Sequence, residues 1–176
     1  NIYFNDNKID CKTFEKYADL YIGNKKENPR VYERVNDRWE ICATMNPELT
    51  FEQVSFVNGI FTSSGGKHVD YVVNQITKKL SDFISKKKKI NVKTSFIKEN
   101  IMIFIKCLID NPSFNSQTKE LMTTNKDKFG SKCEITDKTI TAISKIGIIE
   151  KAIELTELKD SKALLDDVEV TTVAQE

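Results

Sequence analysis

The stretch VSFVNGIFTSSGGKHVDYVVNQI, residues 54–76, contains the change of hydrophobic period that decides the fold. Its first part lies within QVSFVNGIFT, 53–62, which is rich in β-branched and aromatic residues and predicts a strand. From Val69 onward apolar residues recur at steps of three and four, which predicts one face of a long helix. The stripe consists of Val69, Val72, Val73, Ile76, Leu80, Phe83 and Ile84.

Between strand and helix, TSSGGKHVDY at 62–71 places a glycine pair and a lysine where phosphate-binding loops occur. A Walker-type loop needs an earlier glycine and a hydroxyl after the lysine, but those positions are Phe61 and His68. The glycine pair therefore predicts a turn with unusual backbone angles. His68 is the only histidine, which excludes a histidine cluster and favours a structural role at the start of the helix.

The sequence on either side of this stretch predicts the rest of a sheet. NIMIFIKCLID at 100–110 is almost continuously apolar, which is typical of a strand covered on both faces, so strand, helix and strand form a βαβ unit. Upstream, β-like runs at 30–35 and 38–45 flank Asn36-Asp37, a pair that favours a tight hairpin turn. TFEKYADLYI at 13–22 has helical spacing.

Four consecutive lysines, Lys86, Lys87, Lys88 and Lys89, come where the long helix should end. Their charge complements the negative end of the helix dipole. Such a run is usually a solvated cap, yet it is also what a contact with a nucleic-acid backbone requires. Spacing alone leaves both interpretations open.

Residues 111–132 are too polar for a core element and predict a long loop, a kind of segment that is often functional. Four apolar side chains can hold this loop against the core. On spacing alone its Ser116–Lys119 stretch reads as ordinary surface. The four predicted anchors are Phe114, Leu121, Met122 and Phe129.

The segment 135–158 has apolar residues at helical spacing, with Thr136 or Asp137 as the N-cap. Gly147 lies inside it and predicts a kink or a close helix contact, because glycine weakens a helix by about 1 kcal/mol relative to alanine. Residues 161–176 form an acidic tail with a weak pattern.

Composition excludes several classes of protein. Lys plus Arg number 27 against 26 Asp plus Glu, so no overall basic field attracts nucleic acid, and a DNA contact must be local. The four cysteines are far apart with no CxxC pair, which predicts reduced thiols and no metal site. The sequence contains no window of roughly 18 uncharged apolar residues, so it does not predict a membrane span. The abrupt opening NIYFND suggests a piece of a larger protein.

Several separate blocks resemble one family. VSFVNGIFTSSGGKHVDYVVNQI, IFIKCLIDNPSFNSQTKE, FGS and NDRWEICATM are similar, in the same order, to the transducer domain of eukaryotic-type (type IIA) DNA topoisomerase II. The resemblance covers about residues 1–158. It implies a transducer domain at 1–160, between an ATP-binding GHKL module and the DNA-cleaving core of a homodimeric enzyme. Residues 161–176 would then be an acidic tail or linker of unknown role.

The resemblance also implies site residues. In the family, the glutamine and lysine of a QTK loop touch the γ-phosphate of ATP, and here these are Gln117 and Lys119, with Lys119 the catalytic candidate. Lys86, Lys87, Lys88 and Lys89 match a lysine-rich loop that faces DNA. The implied fold is an α/β (α+β) two-layer sandwich with a mixed sheet, packed helices, a long C-terminal helix and a left-handed βαβ crossover between Val54 and Ile109.

The same resemblance implies the surroundings of the domain. ATP would lie mostly on the absent GHKL module, Mg²⁺ would belong to the full enzyme, and double-stranded DNA would be the substrate in the nucleus or at an intracellular site of viral replication. The isolated segment is not expected to be active. The alternative is a non-enzymatic interaction or coupling module of another GHKL-type ATPase, of the mismatch-repair or chaperone kind.

Overall fold

A computed structural model of the chain describes residues 2–173. Seven strands and five α-helices occur in this range, together with one 3₁₀ turn at Lys126–Lys128. The strands are β1 (Ile2–Phe4), β2 (Asn7–Ile9), β3 (Arg30–Asn36), β4 (Trp39–Met45), β5 (Glu52–Val57), β6 (Ile60–Phe61) and β7 (Ile101–Cys107). The helices are α1 (Phe14–Ile22), α2 (Lys67–Lys88), α3 (Thr94–Glu99), α4 (Asp137–Ile143) and α5 (Ile148–Val173).

The main sheet has five strands in the order β3-β4-β7-β5-β6, while β1 and β2 form a separate hairpin. β5 and β7 are parallel and the other neighbours are antiparallel, so the predicted βαβ unit and mixed sheet are confirmed. The handedness of the crossover stays a prediction. The hairpin turn between β3 and β4 is at Asp37-Arg38, one residue later than predicted.

One predicted strand is two strands. The run at 53–62 turns at Asn58-Gly59, where both residues have positive φ, 51° and 81°. Positive φ at both central positions defines the tight turn that matches the twist of a hairpin. The continuous apolar pattern concealed this turn, and the prediction of a single strand was wrong.

The two faces of the sheet are covered unequally. Ile41 and Ala43 of β4 belong to the large core that packs against the long helices, whereas Cys42 points to a smaller cluster beneath α1. In β7, Phe104 likewise joins the smaller cluster while Ile103 faces the large core. Coverage on both faces accounts for the nearly continuous apolar run of β7, as predicted.

α2 is the predicted amphipathic helix. Six of its seven predicted stripe residues are at most 2% exposed, and Phe83 is partly buried. The helix ends at Lys88, and Lys89 follows in the left-handed conformation, in agreement with the predicted end. The polar stretch after it was not expected to contain a helix, yet α3 forms there because Ile97 is fully buried between its neighbours.

The C-terminal helix is broken where the sequence predicted. Thr136 caps α4 by accepting a hydrogen bond from the Thr139 amide at 3.3 Å, and Gly147 has a φ of +96° immediately before α5. α5 continues through much of the predicted tail to Val173, while the remainder of that tail, 174–176, lies outside the described residues. The division at residue 160 stays a prediction. No described helix is both long and apolar enough to cross a membrane.

Candidate functional site

The predicted loop at 111–132 contains a small β-hairpin. The Thr123 amide donates to the Ser113 carbonyl at 2.8 Å, and the Asn115 amide donates to the Leu121 carbonyl at 3.1 Å. These bonds make the segment more ordered than a loop, because the backbone near its tip is paired across the hairpin. The tip, Ser116–Glu120, is thereby held at a defined position.

The hairpin tip carries the two predicted nucleotide-binding residues. The Lys119 amide donates to the Ser116 carbonyl at 3.1 Å, and Lys119 has a φ of 57°. Positive φ is uncommon for a residue with a side chain and marks a conformation held by its surroundings. The Gln117 side chain is exposed, and Lys119 Nζ lies 6.0 Å from the Phe114 ring centroid. Among the described residues Lys119 forms no ion pair with a carboxylate.

Aromatic packing holds the hairpin and the segment after it against the core. Met122 and Phe129 are fully buried, while Phe114 is partly buried against the same core. The Trp39 ring lies 5.8 Å from the Phe129 ring, and its Nε1 donates to Ser131 Oγ at 2.8 Å. The predicted anchoring is confirmed, with Leu121 also partly buried.

An arginine that the spacing did not single out joins the two ends of this segment. Arg38 donates through Nη2 to Asp110 Oδ1 at 2.6 Å and through Nη1 to the Gly130 carbonyl at 3.1 Å. Its Nε donates to the Leu108 carbonyl at 3.2 Å. The only signal in the sequence was that Arg38 lies in the NDRWEICATM block of the resemblance.

The backbone of the glycine turn before α2 is hydrogen-bonded to the hairpin. The Ser64 amide donates to the Glu120 carbonyl at 3.0 Å, and the Lys67 amide donates to the Met122 carbonyl at 3.0 Å. In return the Met122 amide donates to the Gly65 carbonyl at 3.1 Å. Amides already donated to carbonyls cannot also cradle a phosphate, which supports the interpretation of this stretch as a turn.

His68 and Lys67 are structural at this turn. His68 is fully buried, with Nε2 at 3.2 Å from Thr62 Oγ1. Burial lowers the pKa of the imidazole to about 4, so the ring is neutral at physiological pH. Lys67 Nζ contacts Asn125 Oδ1.

The lysine run lies at the opposite end of α2. Lys86, Lys87, Lys88 and Lys89 are all exposed, and the Lys89 amide donates to the Ser85 carbonyl at 3.1 Å. No carboxylate forms an ion pair with any of the four in the part of the chain that the structure describes. The charges are therefore available to an external anion.

Three of the four cysteines are buried, and Cys11 is partly exposed. All four are free thiols, and burial raises the pKa of Cys42 and of Cys133 to about 12 and that of Cys107 higher still. A protonated buried thiol is neither a nucleophile nor a metal ligand. Within residues 2–173 no group of three or more His, Cys, Asp or Glu side chains is arranged to hold a metal ion.

Fold and loops together define a mixed α/β domain similar to part of the ATPase region of type II topoisomerases. The sequence profile described as DNA gyrase B matches residues 7–160, and the chain belongs to this family. The coarse part of the resemblance, to type II topoisomerases, is therefore confirmed.

Two curated relatives illustrate the similarity. The "Probable DNA topoisomerase 2" of Dictyostelium discoideum is 41% identical over 168 residues, which cover 93% of this chain and 11% of that protein. The DNA topoisomerase 2 of Saccharomyces cerevisiae is 39% identical over 180 residues, covering 93% of this chain and 12% of that protein. The chain thus spans only about a tenth of the length of these relatives.

Two solved structures share the fold. The ATPase region of S. cerevisiae topoisomerase II superposes with a TM-score of 0.77 and 42% identity, covering 88% of this chain and 39% of that one. The ATPase and transducer domains of DNA topoisomerase II from Balamuthia mandrillaris give a TM-score of 0.76 and 37% identity, covering 84% of this chain and 37% of that one. The predicted mixed α/β class is confirmed.

Proposed function

We propose that residues 1–160 are the transducer domain of an ATP-dependent type II DNA topoisomerase, followed at 161–176 by an acidic tail or linker of unknown role. In this role the domain couples ATP binding and hydrolysis in a GHKL module of the same chain to passage of one DNA duplex through another. The supporting observation is the hairpin tip, whose hydrogen-bonded backbone presents Gln117 and Lys119, with no acidic partner for the lysine among the described residues. The relatives named above do not favour a mismatch-repair or chaperone-like module.

The chemistry of the tip fits the terminal phosphate of ATP. An ammonium and a carboxamide are donors for phosphate oxygens. Lys119 is partly exposed, and no carboxylate of the described residues forms an ion pair with it. ATP, when bound to the GHKL module, supplies the phosphoryl group and the free energy. Lys119 stabilises the negative charge that develops on the γ-phosphate oxygens, and Gln117 orients them. Mg²⁺ is assigned to the complete enzyme, because this segment offers no ligand cluster in its described residues.

The lysine run has a different role in this proposal. The four exposed lysines contact phosphates of double-stranded DNA and do not read bases, since contacts with phosphates carry no sequence information. These residues are Lys86, Lys87, Lys88 and Lys89. The complete enzyme acts as a homodimer in the nucleus, or at an intracellular site of replication if its source is viral. The segment alone neither hydrolyses ATP nor cleaves DNA.

Lys119→Ala in the full-length enzyme tests the assignment. Removing one preorganised group that stabilises developing charge lowers turnover by about 100-fold or more in other enzymes, and we expect a loss of that order in ATP hydrolysis and strand passage. DNA cleavage without ATP should be retained. Lys126→Ala, at an exposed lysine of the same segment, is the matched control and should leave turnover unchanged. Normal ATP hydrolysis by Lys119→Ala would refute the assignment.

A further inference from the structure

We propose that Gly66 is a positioning residue for the hairpin tip, acting on Gln117 and Lys119 through the backbone of Met122. The inference rests on the function proposed for Lys119. Gly66 is distant in sequence from both Gln117 and Lys119, and the atoms nearest to a Cβ at Gly66 are those of Met122. Its role comes from a close approach of two backbone segments.

The backbone at Gly66 has no room for a side chain. A Cβ at this position would lie 2.3 Å from the Met122 carbonyl oxygen and 2.7 Å from the Met122 nitrogen. These are backbone atoms and cannot move aside as the end of a flexible side chain can. The φ of Gly66 is +140°, a value that residues with a Cβ rarely adopt. Only glycine allows the turn and the hairpin to approach this closely.

The close approach is part of a short ladder of hydrogen bonds. Gly66 and Met122 form a parallel bridge, flanked by the Met122 amide on the Gly65 carbonyl and the Lys67 amide on the Met122 carbonyl. The Ser64 amide donates to the Glu120 carbonyl, which belongs to the tip itself. Displacing Met122 from Gly66 would therefore break the bonds that hold the Lys119 side of the hairpin.

The turn is a firm support because a buried polar network attaches it to β5. Ser55 Oγ lies 2.6 Å from Thr62 Oγ1, which in turn donates to the Ser55 carbonyl at 3.0 Å. Gln53 Nε2 donates to the Ser63 carbonyl at 3.0 Å, and His68 completes the network at Thr62. Ser55, Thr62 and His68 are fully buried. Apart from His68 Nδ1, which has no hydrogen-bond partner among the described residues, the side-chain polar atoms of Ser55, Thr62 and His68 are hydrogen-bonded. Such buried bonds restrict the geometry of the turn, so the position of the turn sets that of the hairpin.

The first test compares nucleotide affinities in the full-length enzyme. Lys119 is proposed to touch only the γ-phosphate, so Gly66→Ala should weaken binding of a non-hydrolysable ATP analogue relative to ADP by about tenfold or more, as Lys119→Ala should. A double variant should be no worse than Lys119→Ala, because both changes remove the same contact. General destabilisation would weaken the binding of both nucleotides equally and leave the ratio of their affinities unchanged.

Gly59→Ala is the matched control. Gly59 also has positive φ, +81°, but a Cβ there would meet nothing within 4 Å. It therefore introduces backbone strain at a turn of the same sheet without displacing the hairpin. Its ratio of ATP-analogue to ADP affinity should stay at the wild-type value. A normal ratio in Gly66→Ala, with a reduced ratio in Lys119→Ala, would overturn the proposal.

Hydrogen exchange separates failure of this inference from failure of the proposed function. In the nucleotide-free full-length enzyme, peptides spanning 113–124 should exchange faster in Gly66→Ala than in wild type or Gly59→Ala. If Lys119→Ala leaves the affinity ratio unchanged, the nucleotide role of Lys119 is wrong, and the exchange rates still decide whether Gly66 positions the hairpin. Wild-type exchange across 113–124 in Gly66→Ala would overturn the positioning role.

Discussion

The hairpin tip and the lysine run present the same chemical group in opposite ways. Lys119 extends from a paired backbone with positive φ, supported by the glycine turn and by buried aromatic residues below it. Lys86–Lys89 are four neighbouring ammonium groups at the exposed end of α2, with no ion pair among the described residues. The tip presents one lysine from a hydrogen-bonded backbone, whereas the run brings four exposed lysines together at the end of a helix.

This difference matches two kinds of anion recognition. Stabilising charge during phosphoryl transfer depends on placing a donor within a few tenths of an ångström, so a rigid backbone is needed. Contact with a DNA backbone depends mainly on the number of charges, because affinity follows the counterions released. Changes in the backbone should therefore affect the function of the tip in phosphoryl transfer. Changes in the number of charges should affect the affinity of the run for DNA.

Acidification should destabilise the glycine turn that supports the tip. Burial holds the pKa of His68 at about 4 in the folded state against 6.5 for the free side chain. The unfolded state therefore binds the proton first, and as the pH falls from 6.5 to 4 folding should lose roughly 3 kcal/mol from this group. The measurement is the free energy of unfolding as a function of pH.

The variant His68→Gln isolates this contribution. Glutamine does not titrate, so the pH dependence between 6.5 and 4 should be shallower than in wild type by the contribution of the imidazole. Because His68 is the only histidine of the chain, no second imidazole within it contributes to the difference between the two pH profiles. Parallel pH profiles for wild type and variant would show that His68 does not titrate as inferred.

Replacing Lys86, Lys87, Lys88 and Lys89 together with alanine should reduce the response to DNA. In the full-length enzyme, DNA-stimulated ATP hydrolysis should need roughly tenfold more DNA at moderate salt. The slope of log affinity against log salt should fall by up to about 3 to 4, since each lost phosphate contact removes about 0.9. ATP hydrolysis without DNA should be unchanged.

The control removes the same charge elsewhere. Lys126, Lys128, Lys132 and Lys138 are exposed lysines of the same domain, and their joint replacement by alanine changes net charge equally. If both quadruple variants have the same salt slope, the run acts only through overall charge and is a solvated cap.

The smallest expected effect is that of Lys89→Gly, which separates the effect of the backbone conformation of Lys89 from that of its charge. Lys89 has a φ of 58° at the end of α2, a conformation that glycine adopts without strain. We expect the free energy of unfolding to rise by about 0.5 to 1 kcal/mol while the salt slope falls by at most about 0.9. Lower stability in thermal unfolding would contradict the first expectation.

Periodicity predicted the elements that fill the core. The stripe of α2 and the apolar run of β7 are long, strongly patterned and buried, so local sequence and packing agree. The short helix α3 was missed because a few residues carry too little periodicity to outweigh their surroundings. The turn at Asn58-Gly59 was missed although Asn-Gly is a favoured pair for such a turn.

The site depended on information that spacing does not contain. Arg38 meets Asp110 across 72 residues of sequence, and Trp39 meets Ser131 across 92. No local pattern encodes such contacts. Gln117 and Lys119 were selected by resemblance alone, since on spacing they read as ordinary surface residues. The role of Gly66 required the position of Met122, which only the folded chain provides.

One helix joins the two regions. α2 begins at the glycine turn that holds the hairpin and, after 22 residues, ends at the lysine run. Its length is about 33 Å, and each residue advances the chain by about 100° around the axis. Inserting or deleting one residue within α2 would turn the lysines through that angle relative to the tip. The length of α2 therefore sets both the distance and the angle between the lysine run and the hairpin tip. We expect α2 to tolerate substitutions on its exposed face far better than any change of length.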